Sequence, residues 1–234
     1  MTILLTWFTT IHSFVFVMHR SYVNRRHFNG LIALTAGSLA LPLHAVSPSA
    51  PKRLLVVGDS LSAEYGIAKD SGWVALLQQR LKQKKASWDV INASISGDTT
   101  SGGRARLPRL LAQHQPQLVI IELGGNDALR GLSLKASQDN LQAMIKACKG
   151  IGAKVLLVGM EMPPNYGARY LREFREMYQN LAKAETVPLV PFLLAGIADL
   201  PDARAWFQAD GIHPLAKAHP KMLDTVWPSL EPLL

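Results

Sequence analysis

Short apolar runs alternate with segments of helical periodicity along the chain after about residue 50. The apolar runs predict strands at residues 53–58, 88–94, 117–125, 153–160 and 187–192. Apolar residues spaced three and four positions apart predict helices at residues 72–85, 104–114, 135–149, 168–184 and 216–227. Because the second of these helices contains Pro108, we expect it to kink or restart there.

The alternation of strands with helices predicts an α/β fold. Successive strands joined through helices run parallel, and right-handed crossovers place helices on both faces of the sheet. We therefore expect a three-layer α/β/α sandwich. The run QLVIIELGG at residues 117–125 is apolar at both alternating sets of positions, as expected of a central strand in a parallel sheet.

Polar segments follow four of the predicted strands, and a fifth such segment precedes the last predicted helix. They are GDSLS (58–62), SISGDTTSGG (94–103), GGNDALRG (124–131), EMPPNYG (161–167) and FQADGIHP (207–214). In parallel α/β sheets, ligands bind beyond the carboxyl ends of the strands. We therefore expect these segments to meet on one rim of the sheet and to form the functional site.

Ser60 follows the first predicted strand, where a serine can cap a helix, bind a phosphate or act as a nucleophile. A serine nucleophile needs a base within hydrogen-bond reach and a group that orients this base. Asp210 precedes His213 by three residues, so that one turn can aim the carboxylate at the imidazole Nδ1. The chain contains neither the Gly-Lys-Ser/Thr end of a P-loop nor a Gly-x-Ser-x-Gly motif.

Acyl transfer also requires hydrogen-bond donors for the oxyanion of the transition state. The backbone N–H of Ser60 is one candidate, and Gly97 offers a second N–H without hindrance from a Cβ atom. The side-chain amide of Asn126 is a third candidate, because Gly124 and Gly125 allow its segment to approach a substrate. The residue types that ester chemistry needs are thus present in the polar segments.

Four blocks of the chain resemble, in order, the four blocks of the SGNH (GDSL) hydrolase family. They are Gly58-Asp59-Ser60-Leu61, Gly97, Gly124-Gly125-Asn126-Asp127 and Asp210-Gly211-Ile212-His213. The longer segments NASISGDTTSGG, ELGGNDALRG, PPNYG and DGIHP are similar to the TesA-type branch of this family. Members of that branch are exported bacterial acyl-CoA thioesterases, also described as lysophospholipases and arylesterases. The resemblance spans roughly residues 52–229.

The resemblance implies a flavodoxin-like, five-stranded parallel sheet and a catalytic triad of Ser60, His213 and Asp210. It also implies an oxyanion hole formed by Ser60, Gly97 and Asn126, with no metal and no cofactor. The expected reaction is the hydrolysis of acyl thioesters, aryl esters and lysophospholipids through an acyl-enzyme intermediate.

Further residues of the polar segments have supporting roles in this interpretation. We expect Asp59 to tie down its loop through side-chain-to-backbone hydrogen bonds, and Asp127 to brace the site from behind. Apolar residues in segments 128–134 and 160–170 are expected to form a wall for the acyl chain, with ordinary core packing as the alternative. The expected substrate-binding residues are Leu129, Leu132, Met162 and Pro163.

The first 45 residues differ in composition from the rest and have the plan of a secretory signal peptide. A basic segment, MHRSYVNRRHFNG, precedes the apolar segment LIALTAGSLALPL and small residues around Ala45. The plan fits best if translation starts at Met18, and a membrane anchor at residues 3–18 is the alternative. The NRRHF run leaves the general secretory and twin-arginine routes open. We expect residues 46–234 to form a single hydrolase domain that is periplasmic or secreted.

Composition limits the partners. Cys148 is the only cysteine, which excludes an intramolecular disulfide, and its helical spacing predicts a core position. The formal net charge is +8, and residues 1–45 contain three arginines and no acidic residue. Because the remaining surplus is dispersed, we expect no binding to nucleic acid. We also expect a monomer that acts on small-molecule substrates and is not stably inserted in a membrane. His114 and His219, which no carboxylate motif accompanies, are expected to be surface or capping residues.

Two other functions compete with this prediction. The first is a related esterase that acts on acetylated glycans or xenobiotic esters through the same triad. The second is a catalytically silent binding protein of the cell envelope. An apolar surface beside the site favours the acyl-chain substrates, whereas an aromatic or polar cleft favours the first competitor.

Overall fold

The structure, a computed structural model of the protein, describes residues 50–234. The expectations for residues 1–45, an export signal and a start at Met18, lie outside the described residues. The domain boundary at residue 46 therefore stays a prediction. Every helix within residues 50–234 is too short or too polar to cross a membrane.

Five parallel strands form one sheet in the described part of the chain. Their bounds are Lys52–Gly58 (β1), Trp88–Asn92 (β2), Leu118–Glu122 (β3), Lys154–Val158 (β4) and Leu189–Val190 (β5). The strand order is β2-β1-β3-β4-β5, and every pair is parallel. This is the order of flavodoxin-like sheets, so the predicted α/β class and five-stranded parallel sheet are confirmed.

Six α-helices accompany the sheet in residues 50–234. Their bounds are Trp73–Gln83 (α1), Thr100–His114 (α2), Gly125–Leu129 (α3), Leu134–Gly150 (α4), Ala168–Glu185 (α5) and His219–Leu230 (α6). Short 3₁₀ turns lie at Pro164–Tyr166, Ala203–Trp206, Ala216–Ala218 and Glu231–Leu233. The five predicted helices are present, and α3 is an addition within the segment GGNDALRG.

The strands divide their side chains between two cores, one on each face of the sheet. Leu54 and Val56 of β1 pack with α1 and α6, whereas Leu55 and Val57 pack with α2, α4 and α5. Each of these four side chains is fully buried and contributes about 1.5–3 kcal/mol to folding. The three-layer sandwich is thus confirmed. Cys148 lies in the second core, as predicted, and its burial raises the pKa of the thiol to about 12.

Helix α2 begins earlier than predicted and runs through Pro108 without ending there. Its first turn contains Gly102 and Gly103, whose low helix propensity hides the start of the helix. The Thr99 side chain caps this turn by accepting a hydrogen bond from the Gly102 N–H at 3.2 Å. A Cβ atom on Gly103 would lie 2.3 Å from Leu123 Cδ1. A larger residue at this position would therefore have to displace the buried Leu123 side chain, which follows β3.

Candidate active site

The polar segments that follow β1, β2 and β3 contact one another at the carboxyl end of the sheet. The Ile95 N–H donates to the Gly58 carbonyl at 3.0 Å, which joins the segments after β1 and β2. The Arg130 guanidinium donates to the Gly97 carbonyl at 2.9 Å, which joins the segments after β2 and β3. The predicted common rim is therefore present for these three segments.

Ser60, His213 and Asp210 form one hydrogen-bonded chain on this rim. Ser60 Oγ lies 2.9 Å from His213 Nε2, and His213 Nδ1 lies 2.6 Å from Asp210 Oδ2. An ionised carboxylate can only accept, so Nδ1 carries the proton and donates to Asp210. Nε2 is then unprotonated and accepts the Ser60 hydroxyl proton. The structure thus brings together the three residues that were predicted as nucleophile, base and orienting group.

A tight turn sets the position of Asp210 relative to His213. Asp210 Oδ1 accepts hydrogen bonds from the N–H groups of Ile212 at 2.9 Å and His213 at 3.0 Å. Gly211 lies between them with φ of 71°, a left-handed conformation that favours glycine. Partial burial raises the pKa of Asp210, but hydrogen bonds from the imidazole and these two N–H groups outweigh it and lower the pKa to about 2. Asp210 is therefore ionised at neutral pH.

The aromatic ring of Tyr65 lies beside the His213 imidazole, with the ring centroids 4.4 Å apart and the planes inclined by 41°. The Gln208 side-chain amide donates to the Tyr65 carbonyl at 2.9 Å and so joins this loop to the segment that carries His213. The Tyr65 ring therefore packs against one side of the imidazole. Sequence reasoning did not find Tyr65, because its loop has no periodic pattern.

Asn126 lies in the first turn of α3, and its side chain is oriented by Asp59. Asn126 Nδ2 donates to Asp59 Oδ2 at 3.0 Å, and the second Nδ2 proton remains available for another acceptor. Asp59 Oδ1 accepts from the Leu61 N–H at 3.0 Å, the side-chain-to-backbone contact that was predicted for Asp59. Asp59 therefore connects the loop that carries Ser60 with the amide of Asn126.

The backbone N–H groups of Ser60 and Gly97 make no hydrogen bond to an acceptor within residues 50–234. Gly97 has φ of 78°, and its carbonyl is held by Arg130. A residue other than glycine would be strained at this φ. Both N–H groups are therefore able to donate to a bound oxygen atom, as the sequence predicts for an oxyanion hole.

Asp127 braces the site from beneath α3, as expected. Its carboxylate accepts from the Thr100 N–H at 2.9 Å, from Thr100 Oγ1 at 2.6 Å and from Ser137 Oγ at 3.1 Å. These bonds tie α3 to the first turns of α2 and α4. The buried Asp127 carboxylate thus holds together the loop that carries Gly97 and the helix that carries Asn126.

A sequence model of the GDSL-like lipase/acylhydrolase family matches residues 56–220 of the chain. This match includes the Ser60–His213–Asp210 chain and both segments with free donors. The chain belongs to this family. The SGNH hydrolase resemblance of the four sequence blocks is thereby confirmed.

Named relatives of the family support this assignment. The chain is 51% identical over 201 residues to the esterase TesA of Pseudomonas aeruginosa, a match that covers 86% of this chain and 98% of the relative. It is 41% identical over 208 residues to the thioesterase 1/protease 1/lysophospholipase L1 of Escherichia coli, covering 89% and 97% of the two chains. A crystal structure of TesA superposes with a TM-score of 0.75 at 52% identity and covers 78% of this chain and all of the solved one.

The expected substrate-binding residues of this family member differ in their surroundings. Leu132 is 45% exposed and Pro163 is also exposed, whereas Leu129 is partly buried against the second core. Met162 is 8% exposed and belongs to this core. Met162 therefore offers little surface to a substrate. Its burial favours the alternative of core packing over a place in the expected wall for the acyl chain. Leu132 remains available for contact with an acyl chain.

Two residues that hold the loops of this hydrolase escaped the sequence reasoning. Arg106 of α2 contacts Asp98 at 2.8 Å, the Gly58 carbonyl at 3.4 Å and the Ala93 carbonyl. It thereby ties the residue before Asp59 to the residue after Gly97. Glu122, at the end of β3, is completely buried. A charged residue in the otherwise apolar run LVIIELGG is a sequence signal that could have identified it.

His219 was expected to be either a surface residue or a capping residue. It is a capping residue, and it is buried. It is 2% exposed, and its Nδ1 accepts from the Trp73 N–H at 3.1 Å, at the first residue of α1. Burial lowers the pKa of His219 to about 4, although the nearby Glu64 carboxylate opposes the shift. His219 is therefore neutral at neutral pH and can accept this hydrogen bond.

Proposed function

We propose that this protein is an exported serine hydrolase that cleaves acyl thioesters, aryl esters and lysophospholipids through an acyl-enzyme intermediate. The observation that carries the proposal is the hydrogen-bonded chain from Ser60 through His213 to Asp210. The activities of the two relatives that their names state, esterase and thioesterase/lysophospholipase, support the proposal. Each match covers nearly the whole length of the relative, and the family match at residues 56–220 includes every segment of the proposed site.

In the first step, His213 Nε2 takes the hydroxyl proton of Ser60 while Oγ attacks the carbonyl carbon of the substrate. The carbonyl π electrons move to oxygen, and this oxyanion accepts hydrogen bonds from the N–H groups of Ser60 and Gly97 and from the Asn126 amide. The oxyanion then re-forms the carbonyl as the bond to sulfur or oxygen breaks. The leaving thiolate or alkoxide takes the proton from His213.

In the second step, water attacks the acyl carbon and gives a proton to His213 Nε2. The second oxyanion collapses, the bond to Ser60 Oγ breaks, and Oγ recovers its proton from His213. Asp210 stays ionised in both steps and stabilises the imidazolium that each of them forms. No group other than the protein side chains, backbone N–H groups and water is required.

The proposed location of this chemistry is the periplasm or the exterior of the cell, because residues 1–45 have the plan of a signal peptide. N-terminal sequencing of the protein recovered from fractionated cells tests this part directly. A first residue near Val46 supports cleavage, whereas a retained leader with the protein in the cytoplasm contradicts it.

The substrate proposal is tested by kcat/KM on a matched panel of acyl thioesters, aryl esters, lysophospholipids and acetyl esters of graded chain length. We expect the highest kcat/KM on medium or long acyl chains and no activity in Ser60→Ala. Fluorophosphonate should label the wild type and not Ser60→Ala. Activity on acetyl esters alone would contradict the acyl-chain proposal, and absence of labelling would contradict the serine mechanism.

A further inference from the structure

A buried acidic side chain, Glu122, lies directly under the loop that carries the proposed nucleophile. It is the last residue of β3 and pairs with Gly58 of β1 in the parallel register. Its side chain is 0% exposed, and it plays no part in the proposed proton transfers. A carboxyl group is rarely buried completely without a partner charge, so this position requires an explanation.

The Glu122 carboxyl group contacts both ends of residues 58–62, which we call the nucleophile segment. Its Oε2 accepts from Ser62 Oγ at 2.7 Å and from the Asp59 N–H at 3.3 Å. A Cβ atom on Gly58 would lie 2.7 Å from the same Oε2, so the side chain fills the space that this glycine leaves. Ser60 is held between these contacts.

The surroundings of Glu122 oppose a negative charge on it. Asp59 is the adjacent carboxyl group, and Glu122 makes no ion pair within residues 50–234. Its Oε1 atom is buried without a hydrogen-bond partner in the same residues. Burial and the charge of Asp59 hold the pKa of Glu122 well above its usual range.

Both neutral and titratable side chains of neighbouring elements surround this pair. The Tyr178 hydroxyl of α5 donates to the Leu123 carbonyl at 2.9 Å, and burial holds its pKa well above the usual range. The Trp73 indole N–H of α1 donates to Ser62 Oγ at 3.2 Å. Among the charged or titratable groups nearby, Arg106 contacts the Gly58 carbonyl, and Asp98 and His213 act on Asp59. Asp127 acts on Tyr178, and His219 accepts from the Trp73 N–H.

We infer that Glu122 is a positioning residue that holds the nucleophile segment in its catalytic shape as a neutral acid, and that its ionisation distorts this segment. The inference rests on the proposed function, because Ser60 and Asn126 are its targets. An ionised Glu122 would repel the Asp59 carboxylate, which accepts from Asn126 Nδ2 at 3.0 Å. Ionisation would therefore displace the nucleophile and an oxyanion donor together.

The test compares Glu122→Gln, which retains the shape of the neutral acid, with Glu122→Ala, which removes the contacts. We expect Glu122→Gln to keep kcat within about threefold of wild type at neutral pH and Glu122→Ala to lose about 10–100-fold in kcat with little change in KM. We also expect kcat of the wild type to fall at alkaline pH and this fall to be absent in Glu122→Gln. Ile120→Val, a substitution at another fully buried residue of β3, is the control for lost stability.

Three results would overturn the inference. The first is a Glu122→Gln variant as slow as Glu122→Ala, and the second is a Glu122→Gln variant whose kcat falls at alkaline pH as that of the wild type does. The third is full activity in Glu122→Ala at all pH values. If Glu122→Ala does not fold, the comparison of Glu122→Gln with wild type still decides. A wild type without esterase or thioesterase activity would instead contradict the proposed function and is recognised before any variant is compared.

Discussion

Asn126 Nδ2 donates a hydrogen bond to Asp59 Oδ2 across 3.0 Å, which joins α3 to the loop that follows β1. Asp59 is 3% exposed, and its burial raises the pKa to about 6, against the lowering effect of the Leu61 N–H and the Asn126 amide. Asp59 Oδ2 accepts one amide proton of Asn126 and leaves the other available for the proposed substrate.

This relationship predicts different losses at the two residues. Asn126→Ala should lower kcat by about 10²–10³-fold, because it removes one oxyanion donor. Asp59→Asn should lower kcat by about tenfold, because the Asn126 amide remains but loses its orientation. Steady-state kinetics on one aryl ester measure both, with KM expected to change little. A near-normal kcat in Asn126→Ala would contradict its assignment.

The carboxylate of Asp210 should be required throughout the active pH range. Asp210→Asn should lower kcat by about 10²–10⁴-fold, because an amide favours the wrong imidazole tautomer and does not stabilise the imidazolium. Since the pKa of Asp210 is about 2, its protonation cannot cause a loss of activity at mildly acidic pH. The pH profile of kcat/KM for wild type and Asp210→Asn measures this. Equal profiles at equal rates would exclude Asp210 from the mechanism.

Close packing at Gly103 predicts a clear loss of stability on substitution. Gly103→Ala should lower the free energy of unfolding by about 1–3 kcal/mol, because the new Cβ overlaps Leu123 and approaches Met144 Sδ at 3.4 Å. Gly150 in α4 is the matched control, since nothing within residues 50–234 lies within 4 Å of its Cβ position. Gly150→Ala should be neutral or stabilising by up to about 1 kcal/mol. Urea unfolding of both variants checks the contrast.

Stability should fall in acid because of His219. Its pKa of about 4 lies below the unfolded value of 6.5, so the unfolded chain binds the proton first as the pH falls from 6.5 towards 4. The stabilisation is complete above pH 6.5, and about 3 kcal/mol of it is lost as the pH falls through this window. His219→Gln should be less stable at neutral pH and show a shallower slope. An unchanged slope in urea unfolding across this range would contradict the prediction.

Leu132 and Met162 should separate substrate selection from packing. Leu132 is 45% exposed, so Leu132→Ala should change the chain-length dependence of kcat/KM without loss of stability. Met162 is 8% exposed, so Met162→Ala should lower the free energy of unfolding by about 2–5 kcal/mol. Chain-length profiles and thermal unfolding of both variants test the distinction. An altered profile in Met162→Ala at unchanged stability would restore the predicted acyl wall.

Local patterning predicts most of the fold, and the differences from the structure have local causes. Strand β5 extends only over Leu189–Val190 instead of residues 187–192, because Pro188 and Pro191 beside it cannot donate hydrogen bonds to a sheet. Helix α3 was not predicted, because a helix of only five residues shows no periodic pattern in the sequence. It begins directly after Gly124, which has φ of 121°. Packing against neighbouring elements stabilises such a short helix, which its own propensity does not.

The sequence by itself determined the order of strands and helices, the α/β class and the identity of the proposed triad residues. The fold class depends on the alternation of strands and helices along the chain, which is a local property, and the triad was implied by the resemblance of four sequence blocks to the SGNH hydrolases. Only the tertiary structure decided that Tyr65 lies against His213, that Met162 is buried and that Glu122 lies beneath Asp59. These relationships join residues far apart in the sequence, and their energies depend on burial and distance, which no local pattern contains.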